Sequence, residues 1–251
     1  MQVRLEGRPW STLNDGVSTR TFATGTNLQL GKPYYFRIAA ANAHGTGRFS
    51  AETAAVVPIA VPDVVRDVVG TRGNGFVQLR WQAPTAIGDG PITNYRVEYS
   101  TDHGQTWTTF TRQPSKATSV AVTNLANGTA YLFRVAAINR IGIGLDTVSA
   151  KAVTPATLPG TPTGVTAIVA GPKIQLSWTP PESNGGSPIV NYAVYYRNTR
   201  TSKWTMLSRS ASVIPSAVAQ LPRGASYVFR VVAINGVGAS PFSTLSNIVT
   251  L

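Results

Sequence analysis

His44 and His103 are the only histidines in this 251-residue chain, and both stand in Gly-containing turn sequence with no partner to make either a general base. The absence of cysteine removes catalytic thiols, disulfides and cysteine-built metal sites. No serine sits in a nucleophile elbow, and neither a P-loop nor a G-x-G-x-x-G turn after a strand is present. The acids Asp63, Asp67, Asp89 and Glu182 lie near linkers or loops without the pairing that acid–base or metal chemistry requires. The residue inventory therefore points away from catalysis, cofactors and metals. What remains is an excess of base, 22 Lys and Arg against 10 Asp and Glu, for a net charge of +12. Such a balance either attracts anionic polymers by counterion release or keeps a surface solvated.

The elements that carry these residues are repeated. The segments LGKPYYFRIAAANAHGTG, NGTAYLFRVAAINRIGIG and RGASYVFRVVAINGVGAS align through Tyr34, Tyr131 and Tyr227, spaced 97 and 96 residues apart. Trp81 and Trp178, Tyr95 and Tyr192, and the series Trp10, Trp107 and Trp204 repeat at 97. The copies divide as 1–57, 58–156 and 157–251, with proline-punctuated linkers at 57–62 and 154–162 that restrict bending. The first copy lacks roughly its first third, because the counterpart of Trp81 would precede Met1; aligned by its later part, Met1 falls where Tyr95 and Tyr192 sit. The chain is accordingly expected to be a fragment of a longer protein, with residues 1–57 poorly stable or borrowing a partner strand. Its opening residues carry no secretory signal pattern, and the apolar runs fall far short of the ~20 residues a membrane-spanning helix needs, so no membrane insertion is expected in this segment.

Within a copy the hydrophobic period is two. Val77, Leu79 and Trp81 alternate with polar neighbours, as do Tyr95, Val97 and Tyr99, and Tyr131, Phe133, Val135 and Ala137. Half-buried antiparallel strands produce this pattern, and Gly- and Asn-rich turns separate them. Seven short strands in fewer than 100 residues predict a two-sheet sandwich.

Trp81, the P-I-x-x-Y of Pro91–Tyr95, Leu125 six residues before Tyr131, and Y-x-F-R-V-x-A-x-N at Tyr131–Asn139 together resemble the fibronectin type III domain. The third copy matches through Trp178, Pro188–Tyr192, Leu221 and Tyr227–Asn235, and the first through Leu28 and Tyr34–Asn42. The resemblance implies tandem immunoglobulin-like, all-β sandwiches of seven strands each, the first truncated. It implies a core of Trp81, Tyr95, Tyr131 and Phe133, repeated as Trp178, Tyr192, Tyr227 and Phe229 and reduced to Tyr34 and Phe36 in the first copy. Tyr34, Tyr131 and Tyr227 would form tyrosine corners.

Three motifs are read as structural. Ser100, Asp102, Gly104, Thr106 and Trp107 resemble the Asp-box hairpin of sialidases and other β-propellers, and here suit a single tight turn. Asn127-Gly128-Thr129 fits a glycosylation acceptor by pattern, and an Asn-Gly turn explains it better. Arg37, Arg134 and Arg230 recur with the scaffold and face outward, with Glu98 in pairing reach of Arg134 and Tyr195 offering Arg230 a ring face. No Arg-Gly-Asp occurs in the loops before the last strands, so integrin binding through that tripeptide is not expected.

Charge is uneven. The third copy holds seven Lys and Arg against one acid, Glu182, with Arg197, Arg200, Lys203 and Arg209 crowding its third and fourth strands. These four are the candidate contacts for an anionic polymer; nucleic acid is disfavoured because most aromatics sit on core faces. By resemblance to type III modules of bacterial secreted or cell-surface proteins, the expected function is a non-enzymatic extracellular or cell-surface spacer or adhesion array. Its expected partners are other protein modules or cell-surface anionic polysaccharide. The alternatives are an accessory segment of a secreted polysaccharide-degrading hydrolase, and an intracellular scaffold or receptor segment.

Overall fold

The computed structural model describes residues 1–13 and 19–251, and every regular element among them is a strand. In the first copy β1 (Gln2–Leu5), β2 (Ser11–Thr12) and β3 (Tyr34–Arg37) form an antiparallel sheet in the order β2–β1–β3, and β4 (Ala41–Asn42) pairs with β5 (Gly45–Thr46). The middle copy contains β6 (Arg66–Arg72), β7 (Val77–Gln82), β8 (Asn94–Ser100), β9 (Thr108–Thr109), β10 (Ser119–Val122), β11 (Leu132–Ile138) and β12 (Thr147–Val148). They build two antiparallel sheets, β10–β7–β6 and β12–β11–β8–β9. The third copy repeats this with β13 (Thr163–Ala170), β14 (Lys173–Thr179), β15 (Ile189–Asn198), β16 (Thr205–Met206), β17 (Ser216–Ala219), β18 (Ser226–Asn235) and β19 (Val249–Thr250), in sheets β13–β14–β17 and β16–β15–β18–β19.

The alternating residues of facing sheets meet in one core per complete copy. Trp81 stands edge-on to Tyr95 at 5.2 Å between ring centroids, and Trp178 to Tyr192 at 5.4 Å, a geometry that aligns ring edges with π faces. Phe133 and Phe229, with Val135 and Val231, are fully enclosed. The same positions in the first copy behave differently: Phe36 is half-buried and Ile38 is 60% exposed. No second sheet covers their face among the described residues. Cross-strand pairing also corrects the alignment of the chain start. Gln2 lies opposite Arg37 as Glu98 lies opposite Arg134 and Tyr195 opposite Arg230, so Met1 corresponds to Val97 and Val194, two residues beyond the tyrosines.

All three tyrosine corners form, with one change of direction. The backbone N–H of Gln29 donates to the Tyr34 hydroxyl at 2.9 Å, and that of Ala126 to the Tyr131 hydroxyl at 3.0 Å. Pro222 occupies the third position and has no N–H, so the Tyr227 hydroxyl instead donates to its carbonyl at 2.9 Å.

The last strand of a copy is short because side chains replace part of its ladder. Ser240, Ser243 and Ser246 each donate a backbone N–H to the carbonyl of Ala233, Val231 or Phe229, and each hydroxyl accepts the N–H of the same partner, at 2.8–3.0 Å. The segment thus advances three residues for every two of β18, an extended three-residue path in place of a pleated strand. Ser50 and Thr53 bond Ile38 and Phe36 in the same way in the first copy.

Each linker is fastened on both sides. Gly31 N–H donates to the Pro58 carbonyl at 2.8 Å from the copy before it, while Asp89 N–H and the Asn139 side-chain amide donate to the Ala60 carbonyl at 2.9 and 3.1 Å from the copy after it. At the second linker Gly128 N–H holds the Pro155 carbonyl at 2.9 Å, and the Asn235 amide holds the Thr157 carbonyl at 2.7 Å. Only one residue separates the two fastened carbonyls in each case. Asn139 and Asn235 are both 4% exposed, and their Oδ1 atoms accept two backbone N–H groups of the turns that follow. Gly88 and Gly185 admit the linker: both hold positive φ, and a Cβ on either would lie 2.3 Å from the Ala60 or Thr157 carbonyl oxygen.

Truncating the core tryptophan of either complete copy, Trp81→Ala or Trp178→Ala, is expected to cost ~3–5 kcal/mol, the range for large aromatic deletions. Equilibrium denaturation measures this directly, and a loss below about 1 kcal/mol, well under that range, would contradict the packing described.

Candidate binding face

The outer face of the four-stranded sheet carries the recurrent arginine. Arg37, Arg134 and Arg230 stand at equivalent register positions, and each guanidinium lies over a repeated tryptophan: Trp10 at 4.3 Å, Trp107 at 4.5 Å and Trp204 at 4.1 Å from the ring centroid. In the first and third copies a second arginine extends the stack. Arg4 lies 5.2 Å from Trp10, and Arg197, its register equivalent, 5.3 Å from Trp204. A phenylalanine caps the other side, with Arg37 at 4.5 Å from Phe49 and Arg230 at 3.6 Å from Phe242. Stacked guanidinium and aromatic planes hold long side chains flat at little entropic cost.

The copies differ in what meets the guanidinium N–H groups. Arg37 donates twice to Gln2 Oε1, at 2.8 and 2.6 Å, and Arg4 bonds Glu52 at 2.7 Å. In the middle copy Arg134 bonds Glu98 at 2.6 Å, and Arg96 bonds Asp146 at 2.8 Å while lying 3.3 Å from Glu98. Burial pushes the Glu98 carboxyl up, but hydrogen bonds from Arg134 and Thr109, with the charges of Arg96 and Arg134, outweigh it and leave the group below its ordinary value. In the third copy Tyr195 replaces Gln2 and Glu98, and Phe242 replaces Asp146. The Nε atoms of Arg197 and Arg230 are buried without a hydrogen-bond partner, as is that of Arg96 in the middle copy.

The four arginines and lysines singled out by the sequence separate. Arg197 belongs to the stack, and Arg200 and Lys203 are exposed on the loop between β15 and β16. Arg209 lies apart, 6.0 Å from the core indole of Trp178, and burial pushes its guanidinium down, as it does for its repeat equivalent Arg112, which donates to the Tyr95 carbonyl at 3.0 Å. Arg230, read from the sequence as a structural residue that recurs with the scaffold, stands at the centre of the cationic stack. Its partners come from either side, Trp204 from just before β16 and Phe242 from the segment between β18 and β19, and the periodicity of one strand gives no sign of them.

The remaining motifs are turns. Ser100 Oγ donates to Asp102 at 2.6 Å and accepts Gly104 N–H at 2.8 Å, and Thr106 N–H donates to Asp102 at 2.9 Å. Hydrogen bonds from Ser100 and Thr106 hold the Asp102 carboxyl well below the usual carboxylate range. The Asn127 carboxamide accepts Gly75 N–H at 2.9 Å and donates to Asn74 at 2.8 Å, and Gly128 takes φ 85° in the turn. Among the described residues, no three His, Asp or Glu side chains group as metal ligands, and no helix is long and apolar enough to cross a membrane.

The sequence model of the fibronectin type III domain matches residues 65–153 and 160–249. Among curated relatives, striated-muscle M-protein of Gallus gallus is 29% identical over 91% of this chain and 16% of its own length. Human myomesin-2 is 29% identical over 87% of this chain and 16% of its own. Fast-type myosin-binding protein C of Gallus gallus is 28% identical over 76% of this chain and 17% of its own. The chain thus spans about a sixth of the length of each. These relatives are animal muscle proteins that work inside the cell, and they overturn the extracellular or cell-surface placement expected from the sequence. The affinity to bacterial secreted modules has no support among them.

Because the Glu98 carboxyl binds its proton less tightly folded than unfolded, its contribution to stability is complete above the unfolded value of about 4.3 and is lost as pH falls through the folded value. Glu98→Gln should therefore flatten the acid limb of the middle copy's stability between neutral pH and about pH 3, a range that brackets that unfolded value. Denaturation midpoints measured across that range check this; an acid limb unchanged in the variant would contradict it.

Proposed function

The chain belongs to the fibronectin type III family, and on that premise we propose that it is a non-catalytic, intracellular scaffold segment that holds neighbouring protein modules at fixed spacing and angle. The observation that carries this reading is the two-sided fastening of both linkers. A linker whose carbonyls two residues apart are bonded to different copies has few free dihedrals, and the second is tied even at its middle residue, where Ala156 N–H donates to the Gly73 carbonyl at 3.0 Å. The copies also meet directly there: Arg72 donates to the Gly236 carbonyl at 2.8 Å, and a Cβ on Gly186 would lie 2.4 Å from the Gly128 nitrogen. Each such hydrogen bond contributes about 0.5–1.5 kcal/mol, so several acting together exceed thermal energy and resist bending.

The names of the relatives agree with a structural role among protein partners, one of them being a myosin-binding protein. Among the described residues no side-chain constellation supports a reaction.

Small-angle scattering of the full chain tests the proposal. The unaltered protein should scatter as one extended particle of defined maximum dimension. Asn139→Ala with Asn235→Ala, or Gly185→Ala to displace the second linker, should broaden the distribution of shapes while leaving the core melting transition in place. Scattering from the unaltered chain that already requires a broad ensemble would overturn it.

A further inference from the structure

We propose that the outer face of β15 and β18 in the third copy is a docking surface for an acidic polypeptide segment, whose carboxylates occupy acceptor positions that the other two copies fill from within. The three copies form a natural comparison series. Arg37 and Arg4 are answered by Gln2 and Glu52, and Arg134 and Arg96 by Glu98 and Asp146. In the third copy Tyr195 stands at the Gln2 and Glu98 position, Phe242 at the Asp146 position, and Leu245, just before Ser246, where Glu52 precedes Thr53. Arg230 retains the cation of Arg37 and Arg134, and Arg197 that of Arg4, while Ala193 stands at the Arg96 position and Phe49 already holds the Asp146 position in the first copy. No oxygen acceptor remains at the Gln2, Glu98 or Glu52 positions. Arg197 stacks on Trp204, and Arg230 on Trp204, Phe242 and Tyr195, with no hydrogen bond or ion pair to either guanidinium among the described residues. Their Nε atoms are buried, as Arg96 Nε is in the middle copy, so the terminal Nη groups are the ones a carboxylate would meet.

Charge complementarity defines the occupant. The third copy offers seven Lys and Arg against the single acid Glu182, and exposed Arg200 and Lys203 extend the field beyond the stack. The carboxylates already bound on this face elsewhere belong to Asp and Glu side chains, whose planar oxygens match a guanidinium edge. Exposed Met206, Phe242 and Leu245 flank the cations and suit apolar side chains interspersed among acids better than a hydroxylated sugar or a phosphate backbone. The surface stands on the comparison of copies and does not depend on rigid linkers.

The test is fluorescence anisotropy of the full chain with a labelled twelve-residue peptide of alternating Glu and Leu-rich acidic sequence, at low and moderate salt. Saturable binding is expected. Tyr195→Glu with Phe242→Asp transplants the middle copy's acceptors and should weaken it at least tenfold without removing a single cation. Arg230→Gln with Arg197→Gln should do the same, and melting curves show whether each variant stays folded. Absence of binding would overturn the proposal. So would binding that survives the transplanted acids in a folded protein, or equal displacement by a heparin oligosaccharide, which would mark the site as a general polyanion surface.

Discussion

A single asparagine amide, buried at the end of the penultimate strand and bonded to a carbonyl of the preceding linker, connects the interior of each sandwich to the shape of the array. Its position is not independent. Asn139 and Asn235 end the strands whose register is set by pairing with β8 and β15, and those strands are placed by packing on Trp81 and Trp178. The turn after each asparagine closes on its Oδ1 while Nδ2 faces the linker, so one side chain serves the fold and the junction together. Rigidity between copies therefore comes from the same order that stabilises each copy.

The two sheets of a copy divide the remaining work. Residues facing inward are nearly interchangeable between copies, because a close-packed core tolerates little variation in shape. Outward residues on the four-stranded sheet keep the tryptophan and arginine yet vary what meets them. The middle copy answers its guanidinium groups with Glu98 and Asp146, whereas the third leaves Arg197 and Arg230 among aromatic rings. A shared scaffold thus presents a neutralised face in one copy and a cationic one in the next.

Much of this was legible in the sequence. Period-two alternation located the strands, and the repeated motif from Tyr131 to Asn139 identified the family, because these signals are local or repeated. The three-residue serine path was hidden because its period is neither that of a strand nor that of a helix, and only the folded structure shows the Ser243 and Ser246 hydroxyls replacing ladder bonds. The junctions were hidden for a different reason: Asn139 and Ala60 lie 79 residues apart, and only the closed sandwich brings them together. Arg209 was misleading, since a basic residue three positions past β16 looks exposed but leans on the core indole of Trp178. Compartment was misread because the sandwich serves equally well on either side of a membrane, and fold resemblance carries no address.

The most direct measurement of the central claim is the distance distribution between spin labels placed at Arg80→Cys on β7 and Gln175→Cys on β14, both exposed strand positions in a chain with no other cysteine. Fastened linkers predict one narrow peak, no wider than the labels' own rotamer spread. A broad distribution over many ångströms would show that the copies reorient freely, and would contradict the account.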